Sequence, residues 1–272
     1  MRLRPALATL ATLSGLVGAP AWAADQVPMA AHRALYRLNL ESTRGGGGVT
    51  AASGTMAYEV TDACDGWATR QRLAMTITNR DGQDIELISD YATWESKDGL
   101  SMRFRMRQTT DTAVTEQVEG TAKLDATGGP GAIHYTVPEE KDLPLPEGTL
   151  FPMVHTEAII RAAAEGKRFL NLPIFDGTGD RGAQDSFIVI SSWGKSDNPP
   201  YPSLANLPSG RVHVSFFDRN PKPSQEKVAG SPDYEVGMRY FANGVADDLH
   251  MDFADFMMQG KLAEFVETPP HC

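Results

Sequence analysis

The side chains best able to do chemistry in this sequence are six histidines, two cysteines, one acidic glycine-rich segment and a row of arginines. Histidine shuttles protons and binds metals near neutral pH, so its spacing decides what it does. His32, His134, His155, His213, His250 and His271 are scattered, and none forms His-Glu-x-x-His or repeats at ligand spacing. His213 and His250 fall inside alternating segments, where a packed or hydrogen-bonded ring is the ordinary outcome. No Gly-x-Ser-x-Gly elbow, and no Ser-x-x-Lys ahead of a helix, marks a serine nucleophile; Ser101 and Ser186 merely begin strands. Gly45 to Gly48 lacks the Gly-Lys-Ser ending that lets a P-loop hold phosphate.

The segment from Phe175 to Gly182 alternates carboxylates with glycines, as a calcium loop does, but lacks the third acidic ligand and the distal glutamate. A tight turn between strands accounts for the same residues. Asp247-Asp248 reads as a solvated strand start rather than an acid/base couple. Arg103, Arg105 and Arg107 alternate with Met102, Phe104 and Met106, giving one strand a cationic face and an apolar face. Acidic neighbours on adjacent strands would neutralise that row. No catalytic residue, cofactor or metal site is therefore expected, and the chain reads as a non-enzyme.

Cys64 and Cys272 are the two cysteines. Whether they pair depends on the compartment, which the N-terminus addresses. Arg2 and Arg4 precede an apolar run from Ala6 to Val17, then Gly18, Pro20 and the small-x-small site Ala21-Trp22-Ala23. Residues 1–23 thus form a cleavable signal peptide, too short in its apolar part for the roughly 20 residues of a membrane span. An even cysteine count in an oxidising compartment reads as one disulfide, Cys64–Cys272. A metal pair with His271 or a redox couple are the competing readings, weakened by the absence of clustered ligands and of Cys-x-x-Cys. Closing so long a loop would be worth on the order of 5 kcal/mol.

Residues 24–272 suffice for a sizeable core. The formal charge of −10 becomes −12 once Arg2 and Arg4 leave with the signal. Such a chain has no electrostatic reason to bind nucleic acid or an anionic membrane surface. No second apolar run is long enough to span a bilayer.

The elements that must position these residues are mostly strands. Period-two alternation marks residues 34–40, 55–60, 67–78, 84–94, 100–108, 114–124 and 133–137. It resumes at 169–175, 185–192, 211–218, 234–242, 245–256 and 255–266, with Asn243-Gly244 as a hairpin turn. One helix is predicted over 151–165, after a stiff linker at Pro144 and Pro146, with Gly148-Thr149 as cap and Gly166-Lys167 as stop. Residues 193–208 form a proline-rich loop. The result is a mainly β chain of about a dozen strands in a closed or nearly closed barrel-like body, with one associated α-helix. Met and Phe residues, among them Met102, Phe216, Phe217, Met251, Phe253, Phe256, Met257 and Met258, supply its interior, either as a core or as the lining of a cavity for a lipid or peptide.

An ordered set of short motifs spans the chain: His32-Arg33-Ala34-x-Tyr36, Cys64-Asp65-Gly66-Trp67, the run Pro146 to Pro152 ahead of His155, Phe175-Asp176-Gly177, and a terminal cysteine. Together they resemble the EipB family of periplasmic envelope-integrity proteins of alphaproteobacteria. The resemblance implies a β-spiral, a large curved antiparallel sheet wrapped on itself as a single domain over 24–272, with a helix and a Cys64–Cys272 disulfide. It also implies a periplasmic role in envelope maintenance, with tetratricopeptide-type proteins as partners. The leading expectation is a non-enzymatic protein that binds a partner or an apolar envelope component. A lipid or lipoprotein carrier comes second and an envelope-polymer hydrolase last.

Overall fold

A computed structural model describes residues 27–44, 48–220, 230–253 and 255–270. The expected signal peptide at 1–23 and one half of the expected disulfide, Cys272, lie outside these residues. The described chain forms strands β1 (His32–Thr43), β2 (Val49–Asp62), β3 (Gly66–Asn79), β4 (Asp84–Ser96), β5 (Ser101–Thr110), β6 (Ala113–Leu124), β7 (Gly131–Val137) and β8 (Lys141–Leu145). Helix α1 (Pro152–Ala164) follows, then β9 (Phe169–Ile174), β10 (Gln184–Ile190), the short β11 (Gly194–Lys195) and a 3-10 turn at Pro202–Leu204. Strands β12 (Pro208–Asp218), β13 (Tyr234–Phe241), β14 (Ala246–Asp252) and β15 (Phe256–Glu267) complete the chain. Among the described residues no helix is long and apolar enough to cross a membrane.

All these strands join one antiparallel sheet in the order β8-β7-β6-β5-β4-β3-β2-β1-β15-β14-β13-β12-β10-β9, with β11 beside β12. The first and last strands pair along nearly their full length, from His32 opposite Glu267 to Thr43 opposite Phe256. The expected mainly β body with one helix is thus observed, but the sheet does not close. Its edges are β8 and β9, and each carries a proline, Pro144 and Pro173. Proline lacks the N–H a central strand needs, so an edge is where it fits. The edges meet through a single parallel bridge, in which Leu150 N–H donates to Pro173 O and Phe175 N–H to Leu150 O, both at 3.0 Å. The segment at Pro144, expected as a linker, is therefore an edge strand.

Alternation sets the inner face. Tyr36 and Leu38 of β1, Met102, Phe104 and Met106 of β5, and Ile133 and Tyr135 of β7 all point inward and are buried. Arg103, Arg105 and Arg107 point outward and are exposed. Helix α1 lies inside the curl. Its Ile159, Ala162 and Ala163 pack with Ile188, Ile190, Val212 and Val214, while Met153 packs with Val60 and Trp67. Phe151, at its N-cap, belongs to a third cluster with Phe104, Tyr135 and Phe175. The helix ends on Gly166 at φ +76°, with Lys167 N–H donating to Ala162 O at 2.9 Å, as the Gly-Lys stop predicts.

Phe175 lies where the two edges meet and is 1% exposed, edge-on to Phe104 at 5.1 Å between ring centroids. Phe175→Ala should lower unfolding free energy by about 3–5 kcal/mol in a urea titration, because the cavity sits at the seam that joins the sheet edges. A loss under about 1 kcal/mol would show that the seam is not integral to the fold.

Candidate functional site

Alternating strands put every second side chain into the curl, and α1 only partly fills it. A cavity of about 560 Å³ remains between the helix and the sheet. Part of its inner wall is apolar: Met56 and Leu73 from β2 and β3, Val236 and Met238 from β13, Met251 from β14, and Ile159 of the helix. Its other end is polar, with Gln108, Glu116, Asp176, Thr178 and Gln184 near the mouth. A contiguous space of about 300 Å³ shares Met56, Tyr58, Met238, Tyr240 and Met251 and extends towards His32 and Tyr36. The predicted Met/Phe-rich interior therefore divides. Met102, Phe256 and Met258 are packed core, whereas Phe216, Met251 and Phe253 line open space.

A stripe of polar side chains runs along the inner wall beneath α1, where sequence reasoning expected only apolar ones. Tyr91, Thr93 and Glu95 of β4 all face inward, beside Tyr58 and Thr69. Glu95 is 1% exposed, and its Oε2 accepts the Met153 N–H at 2.9 Å. It thereby satisfies one of the free N–H groups of the first turn of α1, where the N-cap Phe151 offers no side chain. The expected Gly148-Thr149 cap is not used: Thr149 instead donates to Pro146 O at 2.6 Å. Burial pushes the Glu95 carboxyl up to about 8 despite that hydrogen bond, and the nearby Glu157 pushes the same way. The alternation of Tyr91, Thr93 and Glu95 could have signalled this stripe, but the partners lie far along the chain: Met153 of the helix for Glu95 and the Asp176 carbonyl for Tyr91.

His155 and Ser186 meet beneath the helix, with Nε2 and Oγ 2.8 Å apart. The Ser186 hydroxyl donates to Leu172 O at 2.6 Å. With its proton committed there, Ser186 receives a hydrogen bond from His155 and has none to give it. That is the reverse of what a base-activated nucleophile needs. Burial lowers the His155 pKa to about 4, so the ring is neutral.

The other singled-out residues are structural in different ways. In the Phe175–Gly182 loop, Asp176 accepts from Thr178 N–H at 2.9 Å and from its hydroxyl at 2.8 Å, while Asp180 pairs with Lys141 at 3.2 Å. Tyr135 donates to Gly179 O and accepts from Gly182 N–H, which fastens the loop over the cavity mouth. Among the described residues no group of three His, Cys, Asp or Glu side chains is placed to hold a metal. Asp247-Asp248 is not the solvated strand start that its sequence suggests. The register of β14 slips by one residue at Asp248, whose φ is +50°, and Asp247 shares the inward face with Leu249 and Met251, 5% exposed, where it accepts Leu262 N–H at 3.0 Å and pairs with Arg239 at 2.7 Å. Asp248 faces out to Arg211 and Lys261.

Cys64 occupies a turn at φ +70°, with its N–H donating to Asp62, which also pairs with Lys97 at 3.0 Å. The turn and the chain's C-terminal end lie at the same end of the sheet, because His32 of β1 stands between Val60 of β2 and Glu267 of β15.

The model of a family described as EipB-like matches residues 23–269. The cell envelope integrity protein EipB of Brucella abortus (strain 2308) is 30% identical over 264 residues, covering 94% of this chain and 90% of the relative. A crystal structure of a β-barrel-like protein of a domain of unknown function, also from Brucella abortus, superposes with a TM-score of 0.79 at 26% identity. That match covers 89% of this chain and 100% of the other.

Glu95 and His155 oppose each other in their effect on stability. A carboxyl raised from 4.5 to about 8 binds its proton more tightly in the folded state, so its contribution is lost as pH rises through that range. His155, lowered from 6.5 to about 4, contributes stability that is lost as pH falls through its range. Between about pH 4.5 and 6.5 the two offset, and above that Glu95 acts alone. Glu95→Gln keeps an oxygen for Met153 and should remove the alkaline fall. Urea titrations at pH 6 and pH 8 should show wild type losing about 2 kcal/mol more than the variant. Equal losses would mean that Glu95 is ionised in the fold at neutral pH.

Proposed function

Because this chain belongs to the EipB-like family, we propose that it supports cell-envelope integrity by holding an apolar envelope component, a lipid chain or an apolar peptide segment, in the cavity beside α1. The observation that supports this reading is the cavity's two-ended lining, apolar at Met238 and Met251 and polar at the mouth. An amphipathic ligand would bury its apolar part and keep its head at Gln108, Glu116 and Gln184. Methionine adapts to irregular ligand shapes, so Met56, Met238 and Met251 suit a class of chains rather than one molecule. Binding without turnover fits the arrangement of Ser186, whose proton is held by Leu172. The same reading places the protein in the periplasm after removal of residues 1–23.

The Cys64–Cys272 disulfide belongs to this proposal as the tether of the last strand. Thr268 N–H donates to Ala31 O at 2.9 Å, so β15 remains paired to its end at the side of the sheet where Cys64 lies. Cys64 follows β2, two strand spacings or about 10 Å from β15. The short tail after Thr268 has only to cross β1.

Native mass spectrometry of protein taken from its own cell envelope, followed by organic extraction, should find a lipid or apolar peptide. Met238→Trp, which fills the inner wall, should weaken that ligand at least tenfold while leaving the β-sheet circular dichroism unchanged. A protein that emerges bare would sink the ligand reading and favour a protein partner, of the tetratricopeptide type that the resemblance implies. Intact-mass measurement with and without reductant should show one Cys64–Cys272 bond, and two free thiols would remove the tether.

A further inference from the structure

The outward face of the sheet carries a second concave region, of about 870 Å³, across strands β1 to β6. Register places its side chains in two rows. The first runs Arg33, Glu59, Arg70, Ala92, Arg105, Glu119, each directly opposite the next on adjacent strands. The second runs Ala57, Arg72, Asp90, Arg107, Gln117.

Carboxylates in these rows are already engaged on one side. Glu59 pairs with Arg33 at 2.6 Å, and Asp90 gives both oxygens to Arg72 at 2.7 and 2.8 Å. Glu119 lies opposite Arg105 but takes the Gln117 amide at 3.5 Å. Arg70, Arg105 and Arg107 form no ion pair with any described carboxylate. Arg70 and Arg105 flank Ala92 from either side, about 10 Å apart at their backbones, with only a methyl between them. A carboxylate at position 92 would neutralise both. Glu59 and Glu119 stand on the outer sides of Arg70 and Arg105, so the space over Ala92 is flanked by two guanidinium groups that one compact anion could meet together.

We propose that this face binds a phosphorylated sugar, with its phosphoryl group seated over Ala92 between Arg70 and Arg105. Guanidinium groups grip phosphoryl oxygens two at a time, which suits paired arginines better than a diffuse positive field. The region is several times larger than a phosphate, and Glu59, Glu119 and Gln117 at its rim accept hydrogen bonds from hydroxyls. The chain's formal charge of −10 repels an extended anionic surface, whereas attraction within the groove acts inside the Debye length of roughly 8 Å on one compact anion. This site is on the opposite face of the sheet from the cavity and does not depend on what that cavity holds.

Calorimetric titration of the full chain with glucose 6-phosphate at low salt tests it, with glucose, inorganic phosphate and phosphatidylglycerol vesicles as separate arms. Glucose 6-phosphate should bind, glucose should not, and inorganic phosphate should compete more weakly. Ala92→Glu supplies the missing internal carboxylate on an outward strand position and should weaken binding at least tenfold. Arg70→Ala combined with Arg105→Ala should do the same, with unchanged thermal unfolding in both variants as the check on folding. Binding that survives Ala92→Glu, or no binding at all, would overturn the site. Inorganic phosphate binding as tightly as the sugar phosphate would overturn the sugar assignment. Vesicle binding that Ala92→Glu abolishes, without sugar-phosphate binding, would overturn the compact ligand in favour of a membrane surface.

Discussion

A sheet that curls without closing has to solve two problems at once: it exposes two edges and encloses a bore too wide for its own side chains. Helix α1 answers both. Leu150, just before it, bridges to Ile174 of β9 and so brings the edge strands together, while the helix itself lies in the bore. Met153, Ile159 and Phe151 each belong to a different apolar cluster, so one helix ties together parts of the sheet that are far apart in its strand order. A helix of 13 residues has little stability alone in water, and here packing rather than propensity holds it.

That placement has a cost in polar groups. The first turn of a helix brings free N–H groups with it, and packing against β4 buries them. Glu95 supplies one acceptor from β4, and the price appears as a carboxyl pushed up to about 8. His155 is handled differently, kept neutral and hydrogen-bonded to Ser186, whose proton in turn goes to Leu172 at the β9 edge. A constellation that would look catalytic as a list of residue types is thus part of how a buried helix is accommodated.

The two faces of the same strands carry separate tasks. On β5, Met102, Phe104 and Met106 build the core, while Arg103, Arg105 and Arg107 stand on the outside. Arg103 stacks on Trp94, and the other two lie in the outward groove without carboxylate partners.

The amino-acid sequence by itself determined the strands, because alternation of period two is a local property that each segment carries alone. Helical spacing over 151–165 and the Gly166-Lys167 stop placed the helix within a residue at each end, and alternation showed which face of β5 would be apolar. Tertiary structure decided what depends on partners remote in the chain. The sheet stays open, with the segment after β8 held to the β9 edge by one bridge between Leu150 and Ile174, and β8 was hidden by a proline that only an edge tolerates. Asp247 looked solvated until the fold set it on the inward face beside Arg239, and Glu95 looked like an ordinary strand residue until α1 was laid over it. Burial of a polar group is set by what packs across from it, and in this fold the two partners stand 58 positions apart for Glu95 and Met153 and 210 apart for Tyr36 and Ala246.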